Sequence, residues 1–120
     1  MNLEERTIGG VAIVKVTGEI TLKKSRNAML HEHVRGLIQQ GRRNVIVDLA
    51  GVSYIDSAGL GELVQSHSTV KNHGGALKLL NPTSRLRELL VLTRLTTVLR
   101  TYDDEVQALE SFGIQPPTAQ

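Results

Sequence analysis

The sequence predicts an α/β domain built on a small mixed β-sheet, mostly parallel, with an N-terminal hairpin. Three observations lead there. Segments rich in β-branched residues alternate with segments of helical periodicity, which implies parallel strands joined by right-handed crossovers. Val45, Ile46, Val47 and Leu49 form a nearly continuous apolar run, as in a strand covered on both faces. Gly9-Gly10 divides the first two strand-like stretches by a turn, which gives the sheet an antiparallel edge.

The elements follow in order. Residues 1–8 read as a polar edge strand. Val11 to Thr17 alternates, with Ala12, Val14 and Val16 on one face and Val11, Ile13 and Lys15 on the other. Gly18-Glu19-Ile20-Thr21 leaves that strand. A helix starts at Ser25 or a neighbour and runs to about Gln40, with Met29, Val34, Leu37 and Ile38 among its apolar positions. Gly41 stops it, where Arg42 and Arg43 suit the negative end of the helix dipole.

Asn44 to Leu49 is the central strand, and Ala50 to Ile55 reads as a short loop. Asp56 and Ser57 then open a helix to about His73, because a short side-chain oxygen accepts from the amides of a first helical turn. Leu60, Leu63, Val64 and His67 mark its buried stripe, and Gly74-Gly75 caps it. Ala76 to Leu80 is a further strand. Asn81-Pro82-Thr83-Ser84 is a turn and a cap for a leucine-rich helix with Leu86, Leu89 and Leu90 inward. Thr96 to Arg100 is β-branched and reads as another strand. Thr101-Tyr102-Asp103-Asp104 caps a last helix to about Ser111, with Val106 and Leu109 facing the body. Residues 1–112 are expected to form one domain, and residues 113–120, with paired prolines, a disordered tail.

Composition narrows the function classes. Apolar residues make up 40% and charged residues 22%, the balance of a soluble globular domain. No apolar run approaches the roughly 18–20 residues needed to span a bilayer, and no signal peptide precedes the first strand, so the cytoplasm is expected. Cysteine is absent, which removes disulfides and thiolate metal sites. Net charge is only +2 with both signs interspersed, and Tyr54, Tyr102 and Phe112 are too few to build base-stacking platforms. Direct nucleic-acid binding is not expected.

In parallel sheets, partners and ligands meet the loops beyond the strand carboxyl ends. Those loops are residues 18–24, 50–61 and 81–85, and they are expected to converge around Ser57. Gly59 and Gly61 follow at a cost in helix propensity, which points to a surface kept bare for close approach.

Ser57 has three readings. As a plain first-turn serine it only helps to start the helix. As a nucleophile it lacks the glycine two residues before it, where Ile55 stands, and no histidine has a claim to be its base. As a phosphorylation site it would carry about −1.5 to −2 charge at a helix N-terminus, where amides and dipole tolerate an anion. The fold would survive while a binding face was switched off, and Asp56 would add to repulsion of an acidic partner.

The run Val45-Ile46-Val47-Asp48-Leu49, followed by Tyr54-Ile55-Asp56-Ser57-Ala58-Gly59-Leu60-Gly61, resembles the signature of STAS domains, specifically bacterial anti-sigma factor antagonists. The resemblance spans roughly Arg6 to Phe112 and includes Gly18-Glu19-Ile20, Gly74-Gly75 and the leucine-rich helix before Tyr102-Asp103. It implies about four helices packed mainly on one face of the sheet. It also implies partner switching. The unmodified protein binds an anti-sigma factor that is also a serine kinase, phosphorylation at the position of Ser57 releases it, and a phosphatase resets it.

The expected partner face is Tyr54 with Asp56, Ser57, Ala58, Gly59, Leu60 and Gly61, joined by Thr21, Lys23 and Lys24 from the loop after the second strand. No cofactor is implied, and a weak homodimer stays open. Two departures from the family pattern stand out. Thr21 occupies a position where the family often has Asp, and Lys23 and Lys24 follow it. The lysines read as a solvated loop, or else as a local field that attracts phosphate or a more acidic partner. Arg94 stands near a usual glycine, and arginine adopts a positive φ less cheaply. The Arg94 departure bears on local geometry more than on function, whereas Thr21, Lys23 and Lys24 motivate an alternative: a scaffold, or a subunit of a signalling or lipid-transport complex, with the same fold and no phosphorylation cycle.

The remaining motifs carry little chemistry. His31 and His33 are two apart on a helix and so point to different sides, which disfavours a shared metal ion. His67 reads as a packed core-edge residue, and His73 fits a helix C-terminus. Gly9-Gly10 and Gly74-Gly75 lack phosphate-loop spacing. Tyr54 packs its ring at the sheet end or lends contact area beside Ser57.

Overall fold

The computed structural model describes residues 2–21 and 29–114. Strands β1 (Asn2–Ile8) and β2 (Val11–Ile20) form the hairpin, followed by α1 (Met29–Gln39), β3 (Asn44–Ile55), α2 (Ser57–Asn72), β4 (Ala76–Leu80), α3 (Ser84–Leu92), β5 (Thr101–Tyr102) and α4 (Glu105–Glu110). The five strands lie side by side in chain order. β1 pairs antiparallel with β2, and β2 through β5 pair in parallel. Gly9 and Gly10 both take positive φ, 57° and 86°, the geometry of a two-residue hairpin whose turn follows the sheet's own twist.

Strands added in sequence order by right-handed crossovers must carry their helices on one side. Accordingly, Leu30, Val34 and Leu37 of α1, Leu60, Leu63 and Val70 of α2, and Leu86 and Leu90 of α3 share one core with Ala12, Val14, Val16, Val45, Val47 and Leu49 of the sheet. α4 follows the last strand without a further crossover and packs on the opposite face. There Ala108 and Leu109 meet Val11, Ile13, Ile46 and Leu80. Both faces of β2 and β3 are thus covered, which is why Val45, Ile46 and Val47 read as an unbroken apolar run.

Four expectations change. β3 does not stop at Leu49: residues 50–55 are strand, because β2 continues beside them with Thr17 opposite Gly51 and Ile20 opposite Ile55. Two register shifts in this stretch accommodate extra residues on the β3 side. Thr96 to Arg100 is not a strand. Val98 and Leu99 donate their N–H groups back to the Leu95 carbonyl, and the edge strand is Thr101–Tyr102 alone. In α4 the inward residues are Ala108 and Leu109, and Val106 is 40% exposed. Gly113 and Ile114 are not tail, because Gly113 ends α4 with φ 81° and Ile114 packs against the opposite-face core. The expected helix start near Ser25 and the residues 115–120 lie outside the described residues.

Candidate functional site

β3 delivers Ile55 to the sheet's carboxyl end, and the chain turns at once into α2. Asp56 caps that helix. Its Oδ1 accepts the Gly59 N–H at 2.9 Å, and its carbonyl accepts the Leu60 N–H at 2.9 Å. The Asp56 N–H in turn donates to the Ile20 carbonyl at 3.3 Å, which ties the start of α2 to the end of β2. Ser57 is the first residue of α2, and it is exposed. Its hydroxyl therefore stands at the positive end of the helix dipole while neighbouring residues hold the helix down.

The expected site residues separate by burial. Tyr54 is 52% exposed, and Asp56, Ala58 and Gly61 are half-buried around Ser57. A side chain on Gly61 would meet nothing within 4 Å, so that glycine does leave bare surface. Gly59 differs: a Cβ there would lie 1.9 Å from the Ile20 carbonyl oxygen. It serves contact between α2 and β2, and its own chain covers it. Leu60, at 8% exposure, lies in the core, and Thr21, at 7%, is buried at the end of β2. These three shape the surface from below and offer it little area. Lys23 and Lys24 lie outside the described residues.

The third loop arrives as expected, and it brings a residue that the sequence reading did not include. Arg85 and Leu89 of α3, with Thr93 just beyond it, face Tyr54, Asp56, Ser57 and Leu60 across a cleft of about 250 Å³. Arg85 could have been found as the last member of the loop at residues 81–85 that was expected to converge on Ser57. Glu62 was also missed. It is only 6% exposed, and its Oε1 accepts the N–H groups of Leu30 and His31 at 3.1 and 3.4 Å, so α2 supplies the anion at the start of α1. No local pattern marks it, since its partners lie about thirty residues away.

The histidines are engaged away from Ser57. His31 shares a hydrogen bond with Thr69 Oγ1 on α2, and His33 with Glu5 on β1, so the pair does diverge. His73 Nδ1 bonds the Thr69 carbonyl. His67 sits beside the Leu77 backbone, and burial pushes its imidazole below the ordinary histidine value. Ser57 thus has no histidine base among the described residues. No cluster of metal-ligating side chains occurs among those residues, and no helix there is long and apolar enough to cross a membrane.

Comparison with known proteins bears on the family and the fold. The family profile described as "STAS domain" matches residues 2–108. The chain is 34% identical over 102 residues to the anti-sigma-B factor antagonist of Bacillus subtilis, covering 85% of this chain and 86% of that one. Among solved structures, an anti-sigma factor antagonist from Mycobacterium paratuberculosis superposes with a TM-score of 0.79 at 21% identity, covering 92% of each chain. The Bacillus cell fate determinant SpoIIAA in its phosphorylated form superposes with a TM-score of 0.70 at 18% identity, covering 92% of this chain and 99% of that one. At such identities these two structures speak to the fold.

Proposed function

The chain belongs to the STAS domain family, and from that premise we propose that it is an anti-sigma factor antagonist switched by phosphorylation at Ser57. In the unmodified state it binds an anti-sigma factor with serine kinase activity in the cytoplasm, and so frees a sigma factor. The kinase modifies Ser57, the complex parts, and a phosphatase restores the binding state. The contact surface is Ser57 with Tyr54, Asp56, Ala58 and Gly61, supported from below by Thr21, Gly59 and Leu60. The action is binding, not catalysis, in keeping with the antagonist names of the curated relatives.

One observation carries the reading. Ser57 is exposed at the first position of a helix whose cap, Asp56, and whose packing residue, Gly59, are both engaged with other groups. Charge can be added to its hydroxyl without breaking a bond that holds the fold. The likeness to SpoIIAA, a protein solved in a phosphorylated form, supports the same reading.

The test is incubation with the cognate anti-sigma kinase and ATP, followed by intact-mass and peptide mapping. A single phosphate confined to Ser57 is expected. Ser57→Asp is expected to melt like the native chain and to bind the anti-sigma factor more weakly by calorimetry. No phosphate with an active kinase, or unchanged affinity in Ser57→Asp, would remove the switch and leave a scaffold.

A further inference from the structure

Resting on the phosphorylation reading above, we infer that Arg85 receives the phosphate on Ser57, and that this pairing closes the cleft between α2 and α3. Ser57 and Arg85 line the same cleft of about 250 Å³, where Asp56 is the other charged residue. The start of α2 is already occupied by an anion, because Asp56 Oδ1 holds the Gly59 N–H at 2.9 Å. A phosphate on Ser57 therefore arrives beside a carboxylate that has taken the helix's own capping amide. Its charge of about −1.5 to −2 calls for a cation from outside α2.

Arg85 fits that need in chemistry and in availability. A guanidinium presents a planar fork that matches phosphate oxygens. In the unmodified chain it faces Glu88 at a long 3.8 Å, with the two side chains 67% and 68% exposed. Such a pair holds its members weakly, so Arg85 can leave it. The rest of the cleft is largely apolar, with Tyr54, Ile55, Leu60 and Leu89 in its lining. Drawing Arg85 across to Ser57 covers that apolar lining. Phosphorylation then acts twice on a partner: it adds charge to the face, and it withdraws the apolar cleft beside it.

Phosphoserine installed at position 57 by genetic code expansion tests this without any kinase or partner. The probe is the second ionisation of that phosphate, followed by ³¹P NMR. It is expected on the order of half a pH unit lower in the otherwise native chain than in Arg85→Gln, because a nearby cation favours the dianion. Arg85→Lys should recover part of the difference as a point charge. Identical titration in the native chain and Arg85→Gln overturns the inference. Because Arg85 is exposed, unmodified Arg85→Gln is expected to melt with the native protein. Failure of the chain to bind an anti-sigma factor, or of a kinase to modify Ser57, would strike the phosphorylation reading alone, since the ³¹P result depends on neither.

Discussion

Gly59 lies so close to Ile20 that a Cβ on residue 59 would stand 1.9 Å from the Ile20 carbonyl oxygen. A backbone atom cannot step aside as a flexible side chain can, so α2 would have to move away from β2. Gly59→Ala is therefore expected to cost about 3 kcal/mol in urea or guanidinium unfolding, at the upper end for overpacked sites. A loss below about 1 kcal/mol would mean that the start of α2 shifts easily.

Gly61 makes the opposite prediction two residues on. Its missing side chain points into open space, so Gly61→Ala should stabilise the chain by up to about 1 kcal/mol through helix propensity. Gly61→Glu should fold normally yet weaken binding to an anti-sigma factor, read by calorimetry beside a melting curve. A large fall in melting temperature would instead make Gly61 structural.

Arg94 ends α3 as glycines end the other three helices. Gly41, Gly74 and Gly113 take φ values of 85°, 82° and 81°, and each is followed by an N–H that reaches back to the helix: Arg42 to Leu37, Gly75 to Val70, Ile114 to Leu109. Arg94 takes φ 60°, and the Leu95 N–H reaches the Leu90 carbonyl at 2.8 Å in the same way. The geometry is kept in spite of the side chain. Arg94→Gly should thus gain about 1 kcal/mol in denaturant melts, by removing the left-handed strain.

Glu62 couples α2 to α1 through two backbone N–H groups. Glu62→Ala leaves those donors without their carboxylate, and a loss of about 1–3 kcal/mol is expected. Glu62→Gln keeps an acceptor of the same shape and should lose less. Equal losses in both variants would show that the charge, and not the acceptor, matters.

His67 gives the chain a pH dependence with a definite sign. Burial first, and then the nearby Lys71, hold its imidazole below the ordinary value, against an opposing bond to the Leu77 backbone. The unfolded chain therefore binds a proton at this site before the folded chain does. Its contribution is complete above about pH 6.5 and is lost as pH falls from there toward the lower folded value. The drop in melting temperature from about pH 7.5 to about pH 5.5 should be larger in the native chain than in His67→Gln. Equal drops would place the acid sensitivity elsewhere.

Most of the fold was legible because its elements announce themselves locally. The alternation from Val11 to Val16, the capping oxygens at Asp56 and Asp104, and the glycines at the helix ends all act within a few residues of where they stand. What escaped depends on neighbours distant in sequence. Ala50-Gly51 looks like a loop and becomes strand because Thr17 and Gly18 run beside it. Thr96 to Arg100 has strand composition, yet Val98 and Leu99 turn back onto the Leu95 carbonyl and pairing with β4 begins only where the Arg100 carbonyl accepts the Leu79 N–H, since β preference follows pairing and burial more than backbone preference. At the site, Ser57, Tyr54 and Asp56 could be found from the run that contains them. Arg85 could be placed near Ser57 as a member of the loop at residues 81–85, but nothing around it in the sequence marks it off from the rest of that loop, and the packing of α3 is what sets it in the cleft. Gly59 and Gly61 look equivalent in sequence, and only the Ile20 carbonyl distinguishes them.

The hairpin and the last helix meet at one end of the sheet, where Ile114 abuts Gly9. Ser57 opens α2 beside Ile20 at the other end, and the 10 residues of β2 lie between the two, a span of about 30 Å. The module therefore has a mounting pole and a reading pole. A fluorophore, a fusion partner or a surface tether attached behind Ile114 would start at the mounting pole, on the side away from Ser57. The same wiring would let the domain sit within a larger assembly while Ser57 still faced outward.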